Sequence, residues 1–498
     1  MKKRNTVYAV SLFVTSAIVI WSIIACDNFI AVSSRLYELL SVNLGWLYLL
    51  LIAGFVVFCV GIACSRFGRI RLGGDDEQPE YSTVSWFAML FCAGMGVGLV
   101  FWGVSEPITH FLSPDAMEGG TPEAAEFAMQ ATFMHWGVHP WAIYAVIGLS
   151  IAYFSFRKGE KNLLSRVFVP ILGQRAIDGG IGKAIDVITV VITVMGISTS
   201  LGLGALQING GVSYLTGLPF GLKTQIIIIA LVTVAFTISS VSGVDKGIKL
   251  LSNINLVMAI ALAAAAFLVG PKLEIVNSFI NGLGDYLSGI VKESLKLHTY
   301  GDNTWIIGWR VFYWAWWISW GPFVGSFIAR ISRGRTIRQF MIGVLLVPTA
   351  VSCIWFAIFG NLGIHLAMEN IFTQGELGEI ISTPETALFI VLGEYPLGVV
   401  LSVIAIVLLF TFFITSADSG TFVLGIFTSD GDQNPTNTRK IIWCFIISLL
   451  AIGLLVTGGL ESVQTVSLVV AFPFLFIMVG CCVSLVKSLR GEADGDQR

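Results

Sequence analysis

Residues Thr83–Phe111 read TVSWFAMLFCAGMGVGLVFWGVSEPITHF. The stretch is longer than the ~20 apolar residues a helix needs to cross a bilayer, and its one formally charged side chain is Glu106. Near its middle, glycines alternate at Gly94, Gly96 and Gly98. Each costs a helix about 1 kcal/mol relative to alanine, in a medium where a freed backbone group finds no water. Two readings follow. The glycines let another helix approach closely, or they interrupt the helix at the bilayer midplane, where inverted-repeat transporters bind their substrates.

The rest of the chain has the same membrane character. Of 498 residues, 12% are charged, 55% are hydrophobic, and the net charge is −2. With Gly counted and Tyr left out, the apolar share is roughly 63%, against about 45–50% in soluble domains; mean hydropathy is +0.84. A soluble core of this size needs far less apolar material, which excludes a soluble globular, a disordered or a disulfide-scaffolded protein. The near-neutral charge leaves no nucleic-acid footprint. All eight cysteines lie in or at the ends of apolar runs without C-x-x-C spacing and read as small apolar fillers.

Apolar runs divide the chain into twelve candidate spans. The first six are Thr6–Cys26, Leu44–Cys64, Thr83–Phe111, Ala125–Phe156, Ala184–Leu206 and Thr224–Ser242. The second six are Ile248–Gly270, Trp305–Arg330, Ile337–Met368, Leu397–Phe427, Ile441–Thr457 and Val463–Val486. Thr6–Cys26 lacks an A-x-A cleavage site and reads as a span rather than a signal peptide. With the N-terminus cytoplasmic, 23 of the 29 Lys and Arg fall on the inside; Arg35, Lys223, Lys272, Lys292, Lys296 and Arg310 are the exceptions. That bias follows the positive-inside rule and places both termini in the cytoplasm. Leu273–Leu297 mixes apolar residues with Glu274, Asn277, Asn281, Asp285 and Glu293, and reads as an amphipathic helix along the outer face.

This connector separates two blocks of five spans, 83–270 and 305–486, with residues 1–82 before them, 271–304 between and 487–498 after. A repeat with an odd number of spans must invert. The fold expected is an all-α polytopic membrane protein; if the two blocks of nearly equal length are a duplication, it is a 5+5 inverted repeat with two preceding helices. The second block also opens on a disrupted run, with Gly321-Pro322 followed by Gly325, and a second interruption is expected there because Pro322 cannot donate its backbone bond. Aromatic residues gather nearby. Trp136, Trp141 and Tyr144 share an arc of about 140° on span four, and span eight carries Trp316, Trp317 and Trp320. Several π faces at a dry midplane attract a quaternary ammonium by roughly 2 kcal/mol or more.

Met95–Trp102, His135–Tyr144, Gly202-Leu203-Gly204-Ala205, the run FYWAWWISWGPFVGSFIARISRGRTIR from Phe312 to Arg338, and Thr415–Phe422 together resemble the betaine/choline/carnitine transporter family, nearest to its sodium-coupled glycine betaine carriers. The resemblance runs from Leu44 to Val486. It implies a leucine-transporter-like repeat, twelve helices, a homotrimer in the cell membrane, and an aromatic box for a trimethylammonium head. By motif match the box is Trp136, Trp141, Tyr144 and Trp317, with Trp316 and Trp320 beside it. The substrate carboxylate would lie against backbone N–H groups near Gly94, Met95, Gly96 and Gly98. The coupling ion would be Na⁺, held by the carbonyls of Cys92, Met95 and Phe412 and the hydroxyls of Thr415 and Ser416; those hydroxyls could instead bond back to their own helix.

Members that work without Na⁺ carry an Arg near Asn255 or Leu256, and proton-coupled choline carriers an Asp at Gly98. Neither charge is present here, which favours a Na⁺-coupled carrier of a zwitterion over a Na⁺-independent or proton-coupled carrier of carnitine, choline or ectoine. A second Na⁺ site would use Thr193, Ile197 and Phe323, but Ile197 has no oxygen, so the site is weakened, Ser198 substitutes, or the stoichiometry differs. The tail lacks the long basic extension of osmotically regulated members, so tail-mediated osmosensing is not expected.

Rival classes have thin support. Gly282-Leu283-Gly284-Asp285 matches the G-x-G-D string of intramembrane aspartyl proteases, but a second carboxylate is wanting. His135 and His139 stand at metal-ligand spacing without an obvious third ligand. No P-loop string and no T-V-G-Y-G filter occurs. Glu106, Asp186 and Asp418 read as helix-end hydrogen-bonding groups and are left outside the site.

Overall fold

A computed structural model describes residues 6–94, 96–242 and 245–495. The described residues are helical nearly throughout and contain no β-strand; an isolated antiparallel bridge joins Arg71 to Thr336.

The chain opens with α1 (Thr6–Ile24) and α2 (Cys26–Cys64). The α2 helix has 39 residues, or about 58 Å at 1.5 Å per residue, well beyond the ~30 Å of hydrocarbon. The segment before Leu44, expected as a connection, is its first half. Next come α3 (Thr83–Gly94) and α4 (Val97–Leu112), with Gly96 extended at φ −140°, ψ −157° as the α4 N-cap. The interruption expected at the alternating glycines is therefore present.

Span four is divided too, into α5 (Pro122–Trp136) and α6 (Val138–Ala152), which the sequence reading did not anticipate. At Gly137 a Cβ would lie 2.4 Å from the Phe133 carbonyl oxygen and 2.4 Å from Tyr286 Oη. The Tyr286 hydroxyl accepts from the freed Val138 amide at 2.9 Å. The first half is completed by α7 (Gly180–Thr216), α8 (Leu222–Ser242) and α9 (Asp245–Val269). The connector forms α10 (Lys272–Ser294), as its amphipathic pattern predicts.

The second half begins with a π-helical turn, Ile306–Val311, that leads into α11 (Phe312–Ile331). Here the expectation fails, because α11 runs unbroken through Gly321-Pro322. The small residues serve close packing instead. A Cβ at Gly321 would lie 2.6 Å from Ile147, and one at Gly325 2.8 Å from Ile147 and 3.1 Å from the Gly148 amide. Then follow α12 (Ile337–Met368), α13 (Pro384–Gly393), α14 (Gly398–Phe427), α15 (Asn437–Val456) and α16 (Leu460–Gly495). Among the described residues ten helices are long and apolar enough to cross a membrane, with α5 and α6 taken together as Pro122–Arg157. The α3–α4 pair and α11 are the expected spans outside that group.

The contacts of the two halves come in matching pairs. The third helices of the two halves, α7 and α14, pack together. The α4–α12 contact has its counterpart in α11–α6, α8–α14 in α15–α7, and α9–α14 in α16–α7. Charged side chains sort to two ends. At one, Arg157 pairs with Asp75 and Glu492, Lys161 with Asp430, and Arg333 with Glu77. The Gly74 amide and Arg333 hold the Glu77 carboxyl below the ordinary carboxylate range. At the other end, Asp115 meets Lys296 and His298, and His365 meets Glu274.

Candidate functional site

The close crossing of α6 and α11 through Gly148 and Gly325 brings the two aromatic groups together. Trp136 stands edge-on to Trp317 with ring centroids 4.8 Å apart, and 6.1 Å from Trp316. Trp316 stacks on Trp317 at 4.6 Å. Tyr144 lies 6.4 Å from Trp317 and 5.5 Å from Trp141. All five rings are buried. The α5–α6 break positions one of them, since a helix end leaves carbonyls unpaired and the His135 carbonyl accepts from Trp317 Nε1 at 3.0 Å.

Trp320 belongs to a different group. Its Nε1 donates to the Gly196 carbonyl at 3.0 Å, and its ring contacts Phe323 at 5.8 Å. With Val97, Ile197 and Ser416 it lines a cavity of about 20 Å³, room for one water-sized body.

The broken helix touches both groups. A Cβ at Gly98 would lie 2.6 Å from Trp316 Cη2 and 3.3 Å from Trp136 Cη2. At Gly96 it would lie 3.6 Å from Ser416 Oγ and 3.9 Å from Trp320. Two residues apart, the interrupted backbone thus meets the aromatic cluster on one side and the α14 hydroxyl on the other. The amides that open α4 begin at Val97, and such groups favour an anion.

Of the expected ion ligands, Cys92 lies in the last turn of α3, where carbonyls lack helical partners, as does Gly94 of the expected substrate site; Met95 lies outside the described residues. Thr415 Oγ1 donates to the Phe412 carbonyl at 3.0 Å and the Thr411 carbonyl at 3.2 Å, and accepts from Asn255 Nδ2 at 3.3 Å. In this geometry Thr415 bonds back to its own helix, and only Ser416 of the two hydroxyls lines the small cavity. The second ion position is poorer still. Thr193 donates to the Thr189 carbonyl at 2.6 Å, and Ile197 packs against Gly420. Ser198 donates to the Ile447 carbonyl on α15 at 3.0 Å, which takes it out of the running as a substitute for Ile197.

Glu106, set aside on sequence grounds, is fully buried behind the cluster. Its Oε2 accepts from Trp136 Nε1 at 2.7 Å and from the Tyr313 hydroxyl; its Oε1 lies 2.7 Å from His135 Nδ1. The carboxylate thus fixes the indole of Trp136 from α4. The signal in the sequence was a Glu within an apolar run, one turn before His110. By contrast, Asp186 accepts from Ser165 and Asp418 from Ser239, the plain bonding roles expected of them.

The rival sites do not assemble. His139 stacks on Trp314 at 5.0 Å and its Nε2 bonds Ser294. Asp285 on α10 accepts from Asn281 in an exposed bond. A cavity of about 330 Å³ between α5, α10 and α12 is lined by Glu126, Glu274, Asn277, Asn361 and His365 among others, with no Phe, Tyr or Trp among the described residues that line it.

Comparison with known proteins follows the same direction. The family model described as BCCT, betaine/carnitine/choline family transporter, matches residues 6–494. The chain is 47% identical to the glycine betaine transporter OpuD of Bacillus subtilis, covering 99% of this chain and 96% of that one. It is 44% identical to a probable glycine betaine transporter of Desulfitobacterium hafniense, covering 99% and 98%. It is 43% identical to an ectoine/hydroxyectoine transporter of Virgibacillus pantothenticus, again covering 99% and 98%.

Proposed function

The chain belongs to the betaine/carnitine/choline transporter family, a transporter and not an enzyme, and from that premise we propose that it imports glycine betaine or a similar quaternary-ammonium zwitterion by Na⁺ symport with alternating access. The observation that carries this reading is the contact of Gly98 with Trp316 and Trp136. It sets the first amides of a helix beside a cluster of buried π faces, which matches the two ends of a zwitterion: carboxylate to the amides, trimethylammonium to the rings. In this structure the rings lie on one another, so binding requires the cluster to open, as alternating access provides.

Na⁺ coupling draws support from Ser416 beside Gly96 and from Asn255 against Thr415, a place without a fixed positive charge that could stand in for the ion. The ligand set proposed is Cys92, Met95, Phe412, Thr415 and Ser416. Reaching it requires Thr415 to give up its bonds within α14. Twelve crossings, both termini in the cytoplasm, residence in the cell membrane and a homotrimer belong to the same proposal. The first three rest on the segregated charged ends and the distribution of basic residues, and the trimer on the family resemblance.

The test is uptake by proteoliposomes of glycine betaine, carnitine, choline, ectoine and proline under an imposed Na⁺ or proton gradient. Concentrative uptake of glycine betaine driven by Na⁺ is expected. Uptake of choline or carnitine without a Na⁺ requirement would overturn the assignment. Preference for ectoine, which one of the relatives is named for, would redirect the substrate while leaving the ion.

A further inference from the structure

We propose that Glu106, His110 and His135 form a binding site for a divalent transition-metal ion such as Zn²⁺, and that its occupancy arrests transport. The three residues come from both sides of a helix contact, Glu106 and His110 from α4 and His135 from α5. Glu106 Oε1 lies 2.7 Å from His135 Nδ1 and 3.4 Å from His110 Nε2. One ligand atom from each lies within 4.8 Å of the others. Zinc bonds of about 2.0–2.1 Å to nitrogen and oxygen place tetrahedral ligands about 3.3 Å apart. The His110 distance already suits this, and the His135 contact needs to open by about half an ångström.

The second observation concerns His110 itself. It is fully buried, and among the described residues neither ring nitrogen has a hydrogen-bond partner; nor does His135 Nε2. A buried ring nitrogen left without a partner is costly, and a metal ion held beside Glu106 Oε1 answers the one nearest it, His110 Nε2. Two imidazoles and a carboxylate form a set that zinc and its neighbours accept. Trp305 and Trp309 cover His110, with centroids 4.9 and 4.4 Å away. The nearby cation, Arg310, has its charge answered by Glu293 at 3.1 Å.

An ion here would tie α4 to α5 and draw on the same carboxylate that holds Trp136 and Tyr313. Movement of the broken helix relative to α5 would then be blocked. The binding readout below does not depend on which substrate the protein carries, so failure of this site and failure of the transport reading are distinguishable.

Purified protein titrated with Co²⁺ should develop the visible d–d absorption of a nitrogen/oxygen site, removed by Zn²⁺, and Zn²⁺ should inhibit uptake in proteoliposomes. A single outer partner is worth about 10- to 100-fold in metal affinity. Loss of a ligand in His110→Phe should therefore abolish the Co²⁺ band and raise the half-inhibitory Zn²⁺ concentration about 100-fold, with metal-free uptake retained. His110→Gln should behave alike and serves if the Phe variant does not fold. The double variant His298→Gln/His365→Gln, at the outer end, should match the wild type. An unchanged band and unchanged inhibition in either His110 variant, or no band in the wild type, would overturn the site.

Discussion

The first span of each half carries glycines at its middle, yet one span breaks and the other does not. In α3–α4 the interruption follows Gly94, and Gly96 and Gly98 turn bare backbone toward Ser416 and the Trp316–Trp136 rings. In α11, Gly321 and Gly325 face Ile147 and the backbone of Gly148. One set of glycines keeps backbone available beside the aromatic cluster and the α14 hydroxyl. The other removes side chains so that α6 and α11 can approach and align their aromatic residues. Sequence alone shows the same residue type in both places; the neighbour decides the role.

That contrast is open to direct attack. The largest effect is expected from the rings that α11 carries. Trp317→Leu removes a π face worth about 2 kcal/mol or more in a dry site, together with the bond to the His135 carbonyl. Glycine betaine uptake should be abolished with expression intact, and Trp141→Leu should behave similarly. Retained uptake would detach the aromatic cluster from the substrate.

Next are the glycines themselves. Gly98→Ala puts a methyl 2.6 Å from Trp316 and should lower uptake by about tenfold or more while moving thermal stability little, since a ring edge can shift. Gly325→Ala meets Ile147 and the Gly148 backbone, which give way less readily. Overpacking of this kind costs about 1–3 kcal/mol, so its main effect should be a lower melting temperature. Thermal melts and uptake on the same two preparations measure both; the opposite pattern would erase the distinction.

Smaller losses are expected behind and beside the cluster. Glu106→Gln retains one acceptor but replaces charge-assisted bonds worth about 1.5–3 kcal/mol. Loosening Trp136 should weaken apparent substrate affinity about tenfold, read from uptake against substrate concentration. Removing both hydroxyls in Thr415→Ala/Ser416→Ala should raise the Na⁺ concentration for half-maximal uptake several-fold. An unchanged Na⁺ dependence would move the ion elsewhere.

Much of this was legible in the sequence because membrane helices declare themselves by composition. The apolar runs, the connector α10 and the break after Gly94 follow from hydropathy, amphipathicity and glycine spacing. Where reading failed, long-range packing had overridden a local rule. The Gly321-Pro322 pair looked like a breaker, but α6 packs against it and α11 continues. Gly137 looked like an ordinary residue of span four, until Tyr286, 149 positions later, accepted the Val138 amide. The residues before Leu44 looked like a connection and continue a helix. Of the expected box, five rings assemble, and Trp320 turns to Gly196 instead. Glu106 went unclaimed because its partners, Trp136, His135 and Tyr313, lie on two other helices that no local pattern joins to it.

Calorimetric titration of glycine betaine into the purified protein, in Na⁺ and again in K⁺, tests the central claim most directly. Saturable binding in Na⁺ that is lost in K⁺ and lost in Trp317→Leu is the result predicted. Equal binding in both salts, or binding undiminished in Trp317→Leu, would contradict it.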